Sequence, residues 1–282
     1  MPELPEVETI KRRLQEVIPG KRIKEILIFK DKSFQGDTSL LVDQTITEIT
    51  RRAKILTFHL DNGLHLLTHL KMTGQLMYAD QDRRVGGGHP TDDWIKELPS
   101  KHTRIQYTFE DGTNLFFNDQ RIFGWMRVAT SDEYQQLISV LGPDINDDEL
   151  TADYLREKLA RRRQPIKIVI MDNAVMSGLG NIYACDTLNS ARISPFRPAN
   201  SLTPEEVERL LQSAKAIINK GIDLGGTTFD GKYVDIHGMA GGYQSQTLTY
   251  GREGLPCYNC GAPIKKVKLG GRGTYYCEVC QK

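Results

Sequence analysis

The sequence predicts an α+β fold with two domains, in which a β-rich amino-terminal part precedes a helical part and a short cysteine-bearing tail. Apolar and polar residues alternate in short runs from Ile23 to Asp119, which is typical of half-buried strands. After about Ala129 the apolar residues recur at helical spacing. Near the carboxyl end, two Cys-x2-Cys pairs begin at Cys257 and Cys277. The change of pattern places a domain boundary near residues 130 to 150.

The composition limits the class of protein. The chain has 282 residues, of which 39% are hydrophobic and 26% are charged, as in globular proteins that fold in water. Its apolar runs all fall short of the roughly 20 residues that a membrane-spanning helix requires. The opening residues lack the basic-then-apolar pattern of a signal peptide, so we expect a cytoplasmic protein whose cysteines stay reduced.

The charge is nearly balanced, but it is unevenly distributed. There are 37 basic and 36 acidic residues, which neither indicates nor excludes a polyanionic partner. Basic residues gather between Lys11 and Lys30, at 161–163 and in the last 32 residues. A charge run is usually a solvated face, so these blocks become informative only where motifs fall inside them.

The first part is predicted to contain a helix followed by hairpins. Residues 5–18 place apolar side chains at helical spacing, and Pro5 suits the first helical position. Two hairpins follow, with their paired strands at 46–60 and 64–70 and at 105–110 and 115–118. Such hairpins favour a β-sandwich or a barrel. The Gly- and Pro-rich stretch at 86–99 is predicted to be a surface loop.

The second part is predicted to be helical. Turn-forming residues at Pro143-Asp144 and Gly178-Leu179-Gly180 interrupt its periodic segments. The predicted helices lie approximately at 132–141, 148–161, 166–174, 181–190 and 204–220. The Gly-, Thr- and Tyr-rich tail that follows holds the paired cysteines.

The cysteine spacing predicts a zinc site. Two Cys-x2-Cys pairs, Cys257 with Cys260 and Cys277 with Cys280, are separated as in four-thiolate sites built on a β-hairpin. Four thiolates complete a tetrahedron and leave no open position, so we expect one structural Zn²⁺ that supports folding of the hairpin. Cys185 stands alone and is expected to be a small buried side chain.

The amino terminus has the composition of a nucleophilic site. Removal of Met1 exposes the secondary amine of Pro2, and an α-amino group has a reference pKa of about 7.7–8.0, so a useful fraction is neutral near pH 7. The positive end of a helix that begins near Pro5 disfavours protonation further. Glu3 is placed to move protons, and Glu6 to hydrogen-bond the terminus. The alternative is that Pro2 is a processing signal and the glutamates are ordinary helix-start residues.

Several motifs resemble those of the bacterial formamidopyrimidine-DNA glycosylase family, in the same order along nearly the whole chain. The opening, Pro2-Glu3-Leu4-Pro5-Glu6-Val7-Glu8-Thr9, is the first of them. The others are Arg51-Arg52-Ala53-Lys54, His69-Leu70-Lys71-Met72, Asp119-Gln120-Arg121-Ile122-Phe123-Gly124, Gly178-Leu179-Gly180-Asn181-Ile182-Tyr183-Ala184 and Gly271-Arg272-Gly273-Thr274-Tyr275-Tyr276-Cys277.

The resemblance implies a two-domain enzyme that acts on double-stranded DNA. The implied activity is removal of oxidised purines, such as 8-oxoguanine and formamidopyrimidines, followed by β,δ-elimination at the abasic site. The enzyme is expected to act as a monomer in the cytoplasm, at the nucleoid. The implied parts are a catalytic β-sandwich with an amino-terminal helix at 1–131, a helix-two-turn-helix region at 132–224, a lesion-recognition loop at 225–248 and a zinc hairpin at 249–282.

The resemblance also implies roles for individual catalytic residues. The Pro2 nitrogen attacks C1′ of the damaged nucleotide and leaves an iminium linkage to the opened sugar. Glu3 is the acid and base, and Glu6 positions it. Lys54 and Arg272 meet the flanking phosphates or assist elimination. Lys54 is predicted to lie in the strand at 46–60, where alternation puts it on one face with Arg52.

Further residues match family positions that contact DNA. Met72, Arg121 and Phe123 fill the gap left when the damaged nucleotide turns out of the stack. Asn181 begins a helix whose amino terminus favours a phosphate, although capping alone also explains an asparagine there. The remaining implied contacts are His69, His102, Arg162 and Lys167, and His102 is equally explained as a strand histidine whose hydrogen bonds are satisfied.

The match weakens at three places. Arg104 stands where a histidine is common, the insert from Asp80 to Pro99 is longer than usual, and Asp230 stands where a basic residue is common. Two alternatives therefore stay open. One is an enzyme of the endonuclease VIII type, which prefers oxidised pyrimidines, and the other is a non-catalytic zinc-ribbon protein that binds damaged DNA.

Overall fold

A computed structural model describes residues 2–89, 93, 97–227 and 241–282. The chain divides into two compact units. Unit 1 comprises Met1–Ser139 with Leu224–Gly242, and unit 2 comprises Val140–Asp223 with Tyr243–Lys282. Among the described residues, no helix is both long and apolar enough to cross a membrane.

Within its described residues, unit 1 contains two α-helices and ten strands. In chain order they are α1 (Leu4–Gln15), β1 (Ile23–Ile28), β2 (Phe34–Gln35), β3 (Ile46–Arg52), β4 (Ile55–Leu60), β5 (His65–His69), β6 (Gly74–Ala79), β7 (Arg84–Gly88), β8 (Thr103–Phe109), β9 (Asn114–Asp119), β10 (Trp125–Ala129) and α2 (Ser131–Ser139). The strands form two five-stranded sheets with the orders β1-β8-β9-β6-β7 and β2-β10-β5-β4-β3. The prediction of a β-sandwich with an amino-terminal helix is confirmed.

The core of unit 1 lies between the two sheets. Leu56 and Phe58 from one sheet and Tyr107 and Phe117 from the other are fully buried in one apolar cluster. Helix α1 adds Val7, Ile10 and Leu14 to the same cluster because these residues recur on one face of the helix. The amino terminus of α1 is thereby fixed against the sandwich.

The prediction of one strand at 46–60 is wrong. β3 ends at Arg52 and β4 begins at Ile55, and the two strands pair antiparallel across a two-residue turn. Ala53 has a positive φ of 52°, which reverses the chain. Lys54 therefore lies in the turn and does not share a strand face with Arg52.

Unit 2 contains four helices and a hairpin. These are α3 (Ala152–Leu159), α4 (Ile166–Ile170), α5 (Asn181–Ser190), α6 (Pro204–Asp223), β11 (Lys265–Leu269) and β12 (Arg272–Tyr276). Helix α5 has the predicted bounds, 181–190. Helix α3 begins at Ala152 and not at the predicted residue 148, because the Thr151 side chain caps it by accepting from the Tyr154 amide. Cys185 is buried in α5, as expected.

Candidate functional site

The start of α1 places a buried Glu3 and a half-buried Glu6 beside Pro2. Pro2 and Glu3 are both buried, and Glu3 is the residue that caps the helix. The Glu3 amide donates to Glu6 Oε2 at 2.7 Å, which completes a reciprocal capping arrangement between the two glutamates. The structure thus brings Glu3 and Glu6 together directly after Pro2 in the chain. Met1 lies outside the described residues.

The second oxygen of Glu6 binds a segment that is distant in sequence. Glu6 Oε1 accepts from the Thr227 amide at 2.7 Å and from Thr227 Oγ1 at 3.0 Å. Gly226 has a φ of 84°, and a Cβ added there would lie 2.8 Å from Glu6 Cγ, so only glycine fits. Sequence reasoning did not identify this contact, although the Gly225-Gly226 pair signalled a special backbone. Residues 228–240 of the predicted lesion-recognition loop, including Asp230, lie outside the described residues.

Lys54 is held in its turn by a neighbouring ion pair. Arg51 Nε donates to Glu8 Oε2 at 2.9 Å, and Arg51 Nη1 donates to the Ala53 carbonyl at 2.8 Å. Although burial acts to raise it, hydrogen bonds from Arg51 and Lys11 leave the pKa of Glu8 below its usual value. Arg51 is therefore a structural residue that supports the turn, and Lys54 is a buried cation in that turn.

His69 is a neutral imidazole near pH 7. Its Nδ1 atom accepts from the Lys71 amide at 3.0 Å, and its ring lies against Trp125. Burial, followed by repulsion from Lys71 and Lys54, lowers the pKa of His69 to about 3. A neutral ring both accepts and donates hydrogen bonds, and Nδ1 is already used as an acceptor.

Met72, Arg121 and Phe123 lie together in turns at one end of a sheet and not within strands. Met72 is 38% exposed and Phe123 is 48% exposed, which is unusual for large apolar side chains. The Arg121 guanidinium lies 4.8 Å from the centre of the Phe123 ring. The Arg121 amide donates to Thr73 Oγ1 at 3.0 Å, which connects the two turns.

His102 contacts a residue of the long insert. Its Nδ1 atom lies 3.0 Å from the buried carboxylate of Asp93, and Arg84 Nη1 donates to the Asp93 carbonyl at 2.8 Å. His102 lies in a turn just before β8, and not in a strand. Residues 90–92 and 94–96 of the insert lie outside the described residues.

In unit 2, a buried lysine joins Asn181 to the hairpin. Lys167 is 1% exposed, and its ammonium donates to Asn181 Oδ1 at 2.6 Å and to Thr274 Oγ1 at 2.7 Å. Asn181 Nδ2 donates to the Gly273 carbonyl at 2.9 Å. Asn181 is therefore fixed beside the start of β12, where Arg272 is exposed. Arg162 lies apart from this group, where it pairs with Asp172 at 3.5 Å.

The four predicted cysteines form a single cluster. Their Sγ atoms all lie within 4.8 Å of one another, with Cys257 and Cys280 at 3.9 Å and Cys260 and Cys277 at 3.5 Å. These sulfurs are too far apart for disulfides and close enough to surround one metal ion. The Cys280 amide also points to the Cys277 sulfur at 3.4 Å, as expected around a bound thiolate. The prediction of one structural zinc site is confirmed.

Asp186 organises the chain that follows Gly242, and sequence reasoning did not identify it. Its buried carboxylate accepts from the amides of Leu248, Thr249 and Tyr250 at 2.9–3.2 Å and from the hydroxyls of Thr249 and Tyr243 at 3.0–3.1 Å. Burial raises the pKa of Asp186, and these hydrogen bonds oppose that rise. An acidic residue on a helix is usually solvated, so only the tertiary structure distinguishes this one.

Comparisons with known proteins agree with this architecture. Three family models match successive parts of the chain: the formamidopyrimidine-DNA glycosylase N-terminal domain at residues 1–126, its H2TH domain at 141–232, and the zinc finger found in FPG and IleRS at 254–282. The fold and the cysteine cluster thus define a helix-two-turn-helix protein with a zinc finger.

Relatives along the full length give the family. The chain is 40% identical to a formamidopyrimidine-DNA glycosylase of Desulforamulus reducens, over 100% of this chain and 99% of the relative. It resembles the crystal structure of the MutM (Fpg) protein from Thermus thermophilus with a TM-score of 0.85 and 35% identity, over 99% and 98% of the two chains. It resembles a Lactococcus lactis Fpg bound to DNA with an abasic site with a TM-score of 0.88 and 32% identity, over 100% of both chains. The chain belongs to the formamidopyrimidine-DNA glycosylase family.

Proposed function

We propose that this protein is a DNA glycosylase and abasic-site lyase that removes oxidised purines from double-stranded DNA. Membership of the family supports the activity, and the similar structures include Lactococcus lactis Fpg with DNA that contains Fapy-dG or an abasic site. The observation that carries the proposal is the buried Glu3, which is hydrogen-bonded to the half-buried Glu6 and follows Pro2 at the start of α1. Such a pair places an acid and base next to an amine nucleophile.

The proposed reaction begins at the Pro2 nitrogen. Its lone pair forms a bond to C1′ of the damaged nucleotide, and the base leaves with the electrons of the glycosidic bond and takes up a proton. The Pro2 nitrogen then loses its N–H proton, and its lone pair forms the C=N bond while the bond from C1′ to the ring oxygen breaks and Glu3 protonates that oxygen. An iminium ion between Pro2 and C1′ remains. The iminium accepts electrons when a C2′ proton is lost and the 3′-phosphate departs, and the 5′-phosphate departs in a second elimination. Glu6 holds Glu3 through its backbone amide.

A damaged base within a duplex is out of reach of Pro2, so the nucleotide has to leave the stack. Met72, Arg121 and Phe123 are proposed to fill the gap as a wedge, since they project from two adjoining turns and two of them are large exposed apolar side chains. We use the name wedge for these three residues.

The remaining predicted residues are proposed to bind the DNA backbone. In unit 1 these are Lys54, His69 and His102, and in unit 2 they are Asn181, Arg272, Arg162 and Lys167. Support is strongest for Asn181, because it lies at the amino terminus of α5, where free amides favour a phosphate. Because the ammonium of Lys167 is buried and donates to Asn181, we propose that Lys167 acts by positioning Asn181 and not by binding a phosphate directly. We also propose that the enzyme acts as a monomer, as the family resemblance implies, and that it works in the cytoplasm at the nucleoid, where its DNA substrate lies.

The domain boundaries given above are likewise a proposal. The region at 1–131 is proposed to carry catalysis, and the region at 132–224 to bind DNA. Residues 225–248 are proposed to form the lesion-recognition loop, and residues 249–282 the zinc hairpin. One observation supports the assignment of the loop, because Thr227 is hydrogen-bonded to the proposed catalytic carboxylate pair through Glu6.

Borohydride trapping on a duplex with a single 8-oxoguanine opposite cytosine tests the proposed reaction. Borohydride reduces the iminium ion, so wild-type protein is expected to form a covalent complex with the DNA. A variant that retains Met1 is expected to form none, because the Pro2 nitrogen is then an amide, and Pro2→Gly is expected to form less, because a primary amine replaces the secondary one. Cys185→Ser serves as a control, since this buried thiol has no proposed role. Trapping by the protein that retains Met1 would show that another amine is the nucleophile.

A further inference from the structure

The two turns that carry the wedge meet at one end of a sheet in unit 1. Met72 precedes β6, while Arg121 and Phe123 follow β9. β6 and β9 are antiparallel neighbours, and Gly74 pairs with Asp119 at the end of the ladder. Both turns therefore leave the sheet at the same point, so the end of the β6–β9 pair supports all three wedge side chains.

The buried carboxylate of Asp119 lies at this end of the β6–β9 pair. Asp119 is 1% exposed, and its Oδ2 atom accepts from the amides of Phe123 at 2.9 Å and Gly124 at 2.7 Å. Its Oδ1 atom accepts from the Arg121 amide at 3.1 Å. The carboxylate thus binds the backbone of both wedge residues in its own turn, and it satisfies amides that the turn leaves without strand partners.

The Thr73 hydroxyl extends this network to the other turn. Thr73 follows Met72 directly, and its hydroxyl donates to Asp119 Oδ1 while it accepts from the Arg121 amide at 3.0 Å. Thr73 is buried, so these bonds are shielded from competition by water. A single hydroxyl therefore fixes the Met72 turn to the turn of Arg121 and Phe123.

The backbone of the second turn is closed tightly around the carboxylate. A Cβ added at Gly124 would lie 2.8 Å from Phe117 Cζ and 3.1 Å from Asp119 Oδ2, so a side chain there would separate the amide from its acceptor. Ile122, between the two wedge residues, has a positive φ of 57°, which is costly for a β-branched residue. Four hydrogen bonds to Asp119 offset that cost.

We propose that Asp119 and Thr73 are positioning residues that hold the wedge rigid for insertion into DNA. This inference rests on the wedge role proposed above. Opening a base stack costs free energy, and a wedge that is already ordered does not add the entropy of ordering two loops to that cost. Asp119 and Thr73 act through the backbone of the turns and have no need to touch the DNA.

Two substrates separate positioning of the wedge from general damage to the fold. One is a duplex with 8-oxoguanine opposite cytosine, and the other is a single-stranded oligonucleotide with one abasic site, which has no stack to open. We expect Thr73→Val to slow single-turnover excision from the duplex by about tenfold, the effect of losing one hydrogen bond to a charged group. Borohydride trapping on the single strand is expected to stay within about twofold of wild type.

Two further variants sharpen the test. Thr73→Ser keeps the hydroxyl and is expected to restore duplex excision. Asp119→Asn replaces one carboxylate oxygen with an NH₂ group that faces the backbone amides of the turn. We therefore expect it to slow duplex excision more than Thr73→Val does. The fluorescence of 2-aminopurine placed beside the lesion measures the rate of unstacking. We expect Asp119→Asn to slow this rate most, Thr73→Val less, and Thr73→Ser least.

The outcomes distinguish this inference from the wedge role on which it rests. Equal losses by Thr73→Val on both substrates, or no loss on the duplex, would overturn the positioning role. The variants Met72→Ala, Arg121→Ala and Phe123→Ala test the wedge itself. If all three keep wild-type duplex excision, the wedge assignment fails and the positioning role fails with it.

Discussion

The wedge turns of unit 1 and the zinc hairpin of unit 2 both present exposed side chains on short loops, but different forces hold them. The wedge turns are fixed by hydrogen bonds to Asp119, at one end of a sandwich with a large apolar core. The hairpin has a core of only Cys257, Ile264 and Cys277, with a few partly buried neighbours. The wedge turns rest on a large apolar core and are held by hydrogen bonds, whereas the hairpin has almost no apolar core and requires a metal.

Loss of zinc is expected to give the largest effect and to act on the hairpin alone. Cys277→Ser removes one of four thiolates, so the hairpin loses its metal and with it the placement of Arg272. We expect DNA affinity to fall by at least about 100-fold, measured by fluorescence anisotropy with zinc content determined in parallel. Cys185→Ser is the matched control. Unchanged affinity and zinc content would refute the structural role of the metal.

Asp186→Asn is expected to give the next largest effect. The variant sets an amide donor among five hydrogen bonds that the buried carboxylate accepts, so donors in the segment after Gly242 lose their acceptor. We expect the free energy of unfolding of unit 2 to fall by about 3 kcal/mol, measured by urea denaturation. Thr249→Val removes only one of these bonds and is expected to cost about 1 kcal/mol. Equal effects of the two variants would show that the network does not depend on the carboxylate.

The smallest expected effect is the response of unit 1 to acid. The pKa of His69 is about 3 in the folded protein, against an ordinary value of 6.5. Below pH 6.5 the unfolded chain binds a proton that the folded chain does not, so the free energy of unfolding falls as the pH is lowered towards 3. The slope from this group is at most about 1.4 kcal/mol per pH unit, and there is no such loss above pH 6.5.

Urea denaturation at pH 7, 6 and 5 checks the response to acid. Trp125 lies in β10 of unit 1, so its fluorescence, followed in Trp94→Phe protein, reports on that unit, while zinc release follows the hairpin. His69→Gln is expected to reduce the pH dependence of the fluorescence transition and to leave zinc release unchanged. An identical pH slope in wild type and His69→Gln would contradict the assignment.

The sequence predicted those features that depend on local spacing. The bounds of α5 followed from the Gly178-Leu179-Gly180 break, and the cysteine cluster followed from two Cys-x2-Cys pairs. The motifs also identified the residues at the start of α1. In each case neighbouring residues determine the geometry, so a short pattern is sufficient.

The missed features depend on contacts between distant residues. The turn at Lys54 was missed because an alanine with positive φ has no sequence signature. Asp119 begins a family motif but received no role, and Asp186 resembles any other acidic residue, since only the folded chain brings amide donors to their carboxylates. Lys167 matched a DNA-contacting position by family resemblance, yet its ammonium is buried against Asn181 and Thr274. Burial of a charge cannot be read from a charge pattern.

The close approach of Gly226 to Glu6 has a practical consequence for protein engineering. Exchanging the segment that follows Gly226 and Thr227 is the obvious route to altered base preference. Any side chain grafted at position 226 would push against the Glu6 carboxylate, and replacement of Thr227 would remove the hydroxyl that donates to that carboxylate beside the backbone amide. A chimera should therefore keep the native chain through Thr227 and begin the foreign segment at residue 228.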